Sequence, residues 1–108
     1  MTSNRWVETE ELSTGYLRAH GFPHAYRTGR GKAGADTVLG GTPGLTIEIK
    51  AQAVLRSAWL EQHRGADGLP LVIWRPPKFG PATLEQWPLL FTFADGIELL
   101  RKAGYGQR

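Results

Sequence analysis

The residues of this chain that are best suited to catalysis lie between Asp36 and Lys50. In a β-strand over Leu45–Lys50 the side chains alternate, so Glu48 and Lys50 share one face, roughly 7 Å apart. A hairpin centred on Thr42 pairs residues whose numbers sum to 84, which sets Asp36 directly opposite Glu48. Two carboxylates and an ammonium group placed in this way could bind a divalent cation such as Mg²⁺, activate water and stabilise negative charge on a phosphate.

The same segment also allows a plainer interpretation, an ordinary hairpin with an exposed polar face. Asp36 would then be a solvated turn residue, and a shift of one residue in the register would separate it from Glu48. The apolar residues that flank both strands favour burial on both faces, where a free charge requires a partner. This favours the site over the plain hairpin.

A helix predicted from residue 4 to residue 20 could supply a further carboxylate to this site. Glu10 falls on one helical stripe with Trp6 and Leu17, so it is the acid turned toward the interior if those two residues face the core. Two other acids of this helix, Glu8 and Glu11, point away from the stripe. The sequence does not decide which of the three acids completes the site.

The remaining segments predict one domain over residues 1–108 with a mixed α/β (α+β) fold. The order is α-β-β-β-α-β-β-α, a mixed central sheet flanked by helices. Asp95 is expected to cap the last helix, with Glu98 three residues later. The other predicted elements are strands at 24–27, 36–39, 45–50, 69–74 and 89–93, and helices at 51–64 and 95–103.

Composition excludes several classes of protein. The 108 residues include no Cys, which excludes a disulfide scaffold, a zinc ribbon and a thiol nucleophile. No apolar run approaches the roughly 18 residues of a membrane span, and the N-terminus lacks the apolar segment of a signal peptide. We therefore expect a cytoplasmic protein without a membrane partner.

Positive charge is concentrated between Leu12 and Ala35, a stretch without Asp or Glu in a chain of net charge +3. Such a stretch is typical of a surface that binds a polyanion, although a solvated basic loop fits equally well. On the first interpretation we assign contacts with the DNA backbone to Arg27, Arg30 and Lys32.

The order of these elements and residues resembles the PD-(D/E)XK nuclease superfamily, and within it the Holliday-junction resolvases of the archaeal type and their counterparts in actinobacterial phages. Ala35 stands where the superfamily's name has Pro, as in many members. The resemblance covers most of the chain and is carried by Glu10, Gly21-Phe22, Asp36 and Ile47-Glu48-Ile49-Lys50, together with the segments YLRAHGFPHA, PGLTIEIKAQ and ELLRKAGYG.

This resemblance implies a restriction-endonuclease-like fold and a Mg²⁺-dependent endonuclease, with Mn²⁺ as a substitute. It implies a homodimer that cuts four-way DNA junctions, in the host cytoplasm if a phage encodes it. Asp36 and Glu48 match the metal-binding acids, Lys50 the catalytic lysine and Glu10 the acid on the helix. Two weaker assignments are the backbone carbonyl of Ile49, as a further metal ligand, and Gln52, in contact with the site or with DNA.

Three other functions are compatible with the sequence. The first is a repair, restriction-like or other structure-specific nuclease with the same core. The second is a DNA-binding module that does not cut, and the third is a structural protein whose basic face is incidental. An intact set of Asp36, Glu48 and Lys50 argues against the second, and the salt dependence of binding distinguishes the third.

Overall fold

The computed structural model describes residues 5–27, 37–39, 45–56, 58–61 and 69–106. These residues form a mixed α+β structure, and the order of helices and strands is the predicted one, with an added 3-10 turn at Pro81–Gln86. The elements are α1 (Arg5–Ala19), β1 (Ala25–Arg27), β2 (Thr37–Leu39), β3 (Leu45–Lys50), α2 (Ala58–Glu61), β4 (Leu69–Trp74), β5 (Leu89–Leu90) and α3 (Phe93–Lys102).

The five described strands form one sheet in the order β1-β2-β3-β4-β5. Neighbouring strands are antiparallel except β3 and β4, which are parallel. Thr37 lies opposite Ile47, which is the register predicted from a turn centred on Thr42. Asp36, the next residue toward the N-terminus, lies outside the described residues.

The central strand β3 alternates between the core and a partly exposed face. Ile47 and Ile49 are buried and pack with Ala25 and Leu71. Glu48, between the two isoleucines, is only partly buried. The alternation predicted for this strand is therefore confirmed, and it separates the apolar side chains from the charged ones.

Helix α1 buries a polar stripe rather than an apolar one. Thr9, Ser13 and Thr14 are buried together with Glu10. The hydroxyl of Thr9 donates to the carbonyl of Arg5 at 2.6 Å, and the hydroxyl of Ser13 donates to the carbonyl of Thr9 at 2.7 Å. These bonds to the preceding turn supply the hydroxyls with partners inside the protein, as burial requires.

Two predicted elements differ from the structure. Of the helix expected over residues 51–64, the described part of the chain contains α2, while residues 51–56 are not helical and residues 57 and 62–64 lie outside the described residues. The carbonyl of Lys50 accepts from the backbone N–H of Arg75 at 2.8 Å, and the carbonyl of Gln52 accepts from the indole of Trp74 at 2.8 Å. Contacts with β4 and the residue after it thus occupy carbonyls that a helix would use.

The second difference lies at the start of α3. The strand predicted to reach Phe93 ends at Leu90, and the helix begins at Phe93 rather than at Asp95. Its N-cap is Thr92, whose side-chain oxygen accepts from the backbone N–H of Asp95. Asp95 is therefore a residue of the first turn, because a hydroxyl three residues earlier already occupies the capping position.

In the part of the chain that the structure describes, none of the helices combines the length and the apolar character that crossing a bilayer requires.

Candidate active site

A cleft of about 410 Å³ lies between the first half of α1 and the end of β3. It brings together five residues that the sequence analysis named for one site, although they come from separate parts of the chain: Glu10, Glu48, Ile49, Lys50 and Gln52. The remaining residues that line the cleft are Arg5, Trp6 and Ala51.

Strand β3 positions Glu48 and Lys50 because its backbone is held along its length by β4. Glu48 lies opposite Val72, which is fully buried, and Lys50 lies opposite Trp74. The ladder continues past the strand through the bond from Arg75 N–H to the carbonyl of Lys50. The side chains of Glu48 and Lys50 therefore project from a fixed backbone, and they share one face because they are two residues apart.

Glu10 reaches the cleft from α1 and is nearly buried, with 6% of its surface exposed. Arg27 of β1 donates from Nε to Glu10 Oε1 at 2.9 Å, and its Nη2 is also 2.9 Å from that oxygen. Nη1 of Arg27 lies 3.8 Å from Oε2 of Glu11. The guanidinium group supplies the opposite charge that a buried carboxylate requires.

The three acids of α1 have different environments. Glu8 pairs with Arg75, whose Nη1 donates to Glu8 Oε1 at 2.6 Å. Glu11 leaves 64% of its side chain exposed, and neither Glu8 nor Glu11 lines the cleft. Of the acids that the sequence left open for this role, Glu10 is the one that α1 places in the cleft.

The cleft provides oxygen ligands of the kind that hard divalent cations prefer. Glu10 and Glu48 contribute carboxylates from two elements, and the open cleft has room for the water ligands that Mg²⁺ retains. Among the described residues, no three His, Asp or Glu side chains form a metal-binding group, and Asp36 lies outside that set. The carboxylates of Glu10 and Glu48 are donors of the type that fits Mg²⁺. The role of the Ile49 carbonyl as a metal ligand stays a prediction.

The predicted DNA contacts are only partly within the described chain. Arg30 and Lys32 lie outside it. Arg27 is half-buried against Glu10 and Glu11, and a contact of this guanidinium with DNA stays a prediction. Gln52 is exposed and lines the cleft, and its contact with DNA stays a prediction.

Sequence reasoning missed a pair of arginines that attach the loop after β4 to α1. Arg75 is buried and donates to the side chains of Glu8 and Thr9 and to the carbonyl of Phe79. Arg5, which lines the cleft, donates to the carbonyls of Pro76 and Phe79. The sequence offered one signal for this pair, namely that Arg75 directly follows a strand of the buried type.

The guanidinium groups of Arg5 and Arg75 also affect each other. Burial lowers the pKa of Arg5, and the charge of Arg75 lowers this pKa further, whereas Glu8 raises it. The acid therefore compensates part of the cost of placing two positive charges beside the same loop.

Three tryptophan side chains beside β4 and the 3-10 turn contribute mainly to packing. Trp59 and Trp74 meet edge to face with their ring centroids 6.0 Å apart, and Trp59 is buried. Trp87 is also buried, with the guanidinium carbon of Arg75 5.2 Å from its ring centroid. Trp59 and Trp87 therefore belong to the protein interior, whereas Trp74 is only partly buried.

No family model matches this chain, and neither a curated protein nor a solved structure matches it. Membership of the PD-(D/E)XK superfamily therefore stays a prediction based on the residues themselves. The arrangement of Glu10, Glu48 and Lys50 in one cleft is the structural observation that bears on it.

Proposed function

We propose that this protein is a Mg²⁺-dependent endonuclease with a restriction-endonuclease-like core that hydrolyses phosphodiester bonds in DNA. The observation that carries the proposal is the convergence of Glu10, Glu48 and Lys50 on one cleft. The four-way junction is the substrate that the resemblance to resolvases implies. Such a site on each of two copies would suit paired incision of opposite strands.

Each side chain has a defined part in the proposed reaction. Glu48 and Glu10 would hold the cation, with Asp36 as the third predicted ligand. When bound, the cation would supply Lewis-acid stabilisation of a phosphate oxygen and activate water for in-line attack. Lys50 would orient that water and offset the negative charge that develops on the phosphate, because its ammonium projects from the same face as Glu48.

The distribution of charge along the sequence supports a polyanionic substrate. The net charge is +3, and the acid-free stretch from Leu12 to Ala35 ends directly before Asp36. Contacts between this stretch and phosphates would release counterions, so binding should weaken steeply as salt is added.

The decisive experiment is cleavage of a labelled four-way junction, compared with nicked, flapped and linear duplexes, in Mg²⁺ and in chelator. We expect cutting of the junction in Mg²⁺ and none in chelator. The variants Lys50→Ala, Glu48→Gln and Asp36→Asn should cut about 100-fold more slowly or worse while keeping most of their DNA affinity. Lys102→Ala, an exposed change on α3, is the matched control.

The other functions give different results in the same assay. Equal cutting of linear or flapped DNA would indicate another nuclease of this core. Salt-sensitive binding without cutting would indicate a DNA-binding module, and binding unaffected by salt would indicate a structural protein. Equal cleavage by wild type and Lys50→Ala would show that the catalytic assignment is wrong.

A further inference from the structure

A second cavity, of about 190 Å³, lies between α1, the sheet and the 3-10 turn at Pro81–Gln86. Its described walls are almost entirely apolar, and they include Leu17 of α1, Leu71 of β4 and Leu84 of the turn. Among the described residues that line them, this cavity and the candidate active site have none in common. A ligand of this cavity would therefore be separate from the proposed nuclease reaction.

The wall of the cavity contains a buried donor that lacks an acceptor. Trp87 lines the cavity and leaves 8% of its surface exposed. Its indole Nε1 is buried and has no hydrogen-bond partner within the described chain. A buried N–H without an acceptor is unfavourable, and nearly all buried polar groups of native proteins have a partner. A ligand atom that accepts from Nε1 would remove this cost.

The ring of Trp87 is held in place before any ligand binds. Its backbone N–H donates to the carbonyl of Leu84 at 3.2 Å, and the guanidinium carbon of Arg75 lies 5.2 Å from the ring centroid. Arg75 is itself fixed by hydrogen bonds with side chains of α1 and with the carbonyl of Phe79. Because the donor is already ordered, binding would cost little conformational entropy on the side of the protein.

The other polar residues of the wall restrict the chemistry of the ligand. The hydroxyl of Ser13 donates to the carbonyl of Thr9 at 2.7 Å, so its proton is already used. Glu85, an exposed residue, is the charged one among the described residues that line the cavity, and its carboxylate would repel an anion. The apolar walls would not compensate the burial of a charge of either sign. A neutral ligand with a hydrogen-bond acceptor fits these conditions.

The volume of the cavity limits the ligand to about one ring. An apolar cavity of roughly 150 Å³ binds benzene, so about 190 Å³ admits a benzene ring with a small substituent. Water is a poor occupant of such a cavity, because an ordered water molecule requires about two to four polar partners. Glu85 and Leu89 line the cavity and are exposed, so the cavity opens to solvent at this edge of the sheet.

We propose that this cavity binds a small neutral aromatic molecule whose acceptor atom, such as a carbonyl oxygen, accepts a hydrogen bond from Nε1 of Trp87. The ring of the ligand packs among the apolar side chains of α1, β4 and the 3-10 turn, and the burial of this ring supplies most of the affinity. The single donor sets the orientation of the ligand, a division of roles that is common in ligand pockets.

Acetophenone and α-methylstyrene are probes that test the proposal, because they have nearly the same shape and only acetophenone has a carbonyl oxygen. In a ¹H–¹⁵N correlation spectrum of the full chain, acetophenone should move the indole N–H resonance of Trp87 downfield of its position with α-methylstyrene, since only the ketone accepts a hydrogen bond. The chain has four Trp residues, and Trp87→Phe identifies the resonance by its loss. The same position with both probes, or no change with either, would overturn the proposal.

Variants measure how strongly the donor and the acceptor are coupled. Trp87→Phe keeps an aromatic ring in the wall but removes the N–H, so it should weaken binding of acetophenone relative to α-methylstyrene about 5- to 10-fold. An unchanged ratio of the two affinities would show that Nε1 does not bind the ligand.

A second pair of variants locates the ligand. Leu84→Phe adds volume to the wall and should weaken binding of both probes. Leu99→Phe, an exposed change on α3, is the matched control and should weaken binding of neither. Equal affinities in Leu84→Phe and Leu99→Phe would place the probes outside this cavity. None of these measurements uses DNA or Mg²⁺, so this site and the proposed nuclease activity can fail independently.

Discussion

Arg27 of β1 forms an ion pair with Glu10 of α1 through a single carboxylate oxygen, Oε1. Nε and Nη2 of the guanidinium both lie 2.9 Å from Glu10 Oε1. The ion pair thus fixes α1 against the edge of the sheet, and we expect Glu10 to offer its Oε2 as a ligand in the cleft.

The first prediction concerns which acid of α1 the reaction uses. Glu10→Gln should keep a hydrogen bond with Arg27 but lower Mg²⁺-dependent cleavage about 100-fold or more, because an amide is a poor ligand for a hard cation. Glu11→Gln should leave the rate nearly unchanged, since Glu11 is outside the cleft. Initial rates in a Mg²⁺ titration measure both. An equal loss of cleavage rate in the two variants would show that Glu10 is not the acid of α1 that the reaction uses.

The second prediction concerns the buried arginine that sequence reasoning missed. Arg75→Met should lower the free energy of unfolding by about 2–4 kcal/mol, because Phe79, Thr9 and Glu8 lose a shared donor. Urea denaturation measures the change. Arg101→Gln is the control: it removes an exposed ion pair of the same type and should cost less than about 1 kcal/mol.

The elements that hold the candidate site could be predicted because local pattern and tertiary structure agree there. Strand β3 has the bounds that its alternation predicts, Leu45–Lys50. Its register with β2 follows from the position of the Gly-rich turn, and the stripe that contains Trp6 places Glu10 in the cleft. A hairpin and a helix face are both encoded over a few neighbouring residues.

The features that could not be predicted depend on residues far apart in sequence. The helical composition of residues 51–56 is overridden by hydrogen bonds from Trp74 and Arg75 to the carbonyls of Gln52 and Lys50. Arg75 finds its partner Glu8 67 positions away. No local pattern of residues reports such contacts, because propensity is a weak preference that tertiary structure overrides.

The third prediction compares two glycines in helices. A Cβ on Gly96 would lie 2.5 Å from Cε1 of Phe91, a ring that packs against the core, whereas a Cβ on Gly15 meets nothing within 4 Å. Gly96→Ala should therefore destabilise the protein by about 1–3 kcal/mol. Gly15→Ala should stabilise it by about 0.5–1 kcal/mol through helix propensity. Thermal or urea denaturation of both variants gives the two signs; a gain for Gly96→Ala would contradict the close packing.

The fourth prediction tests which residue caps α3. Thr92→Ala removes the side-chain oxygen that accepts from the N–H of Asp95 at 3.1 Å, and it should cost about 1 kcal/mol of unfolding free energy. Asp95→Ala keeps that backbone N–H and its bond to Thr92, and it removes only a favourable charge in the first turn, worth about 0.3–1 kcal/mol. Urea denaturation at low ionic strength should therefore rank Thr92→Ala as the more damaging change. Added salt should shrink the effect at Asp95 and leave the effect at Thr92 in place, because salt screens charges but does not screen the cap. The reverse ranking would restore Asp95 as the cap.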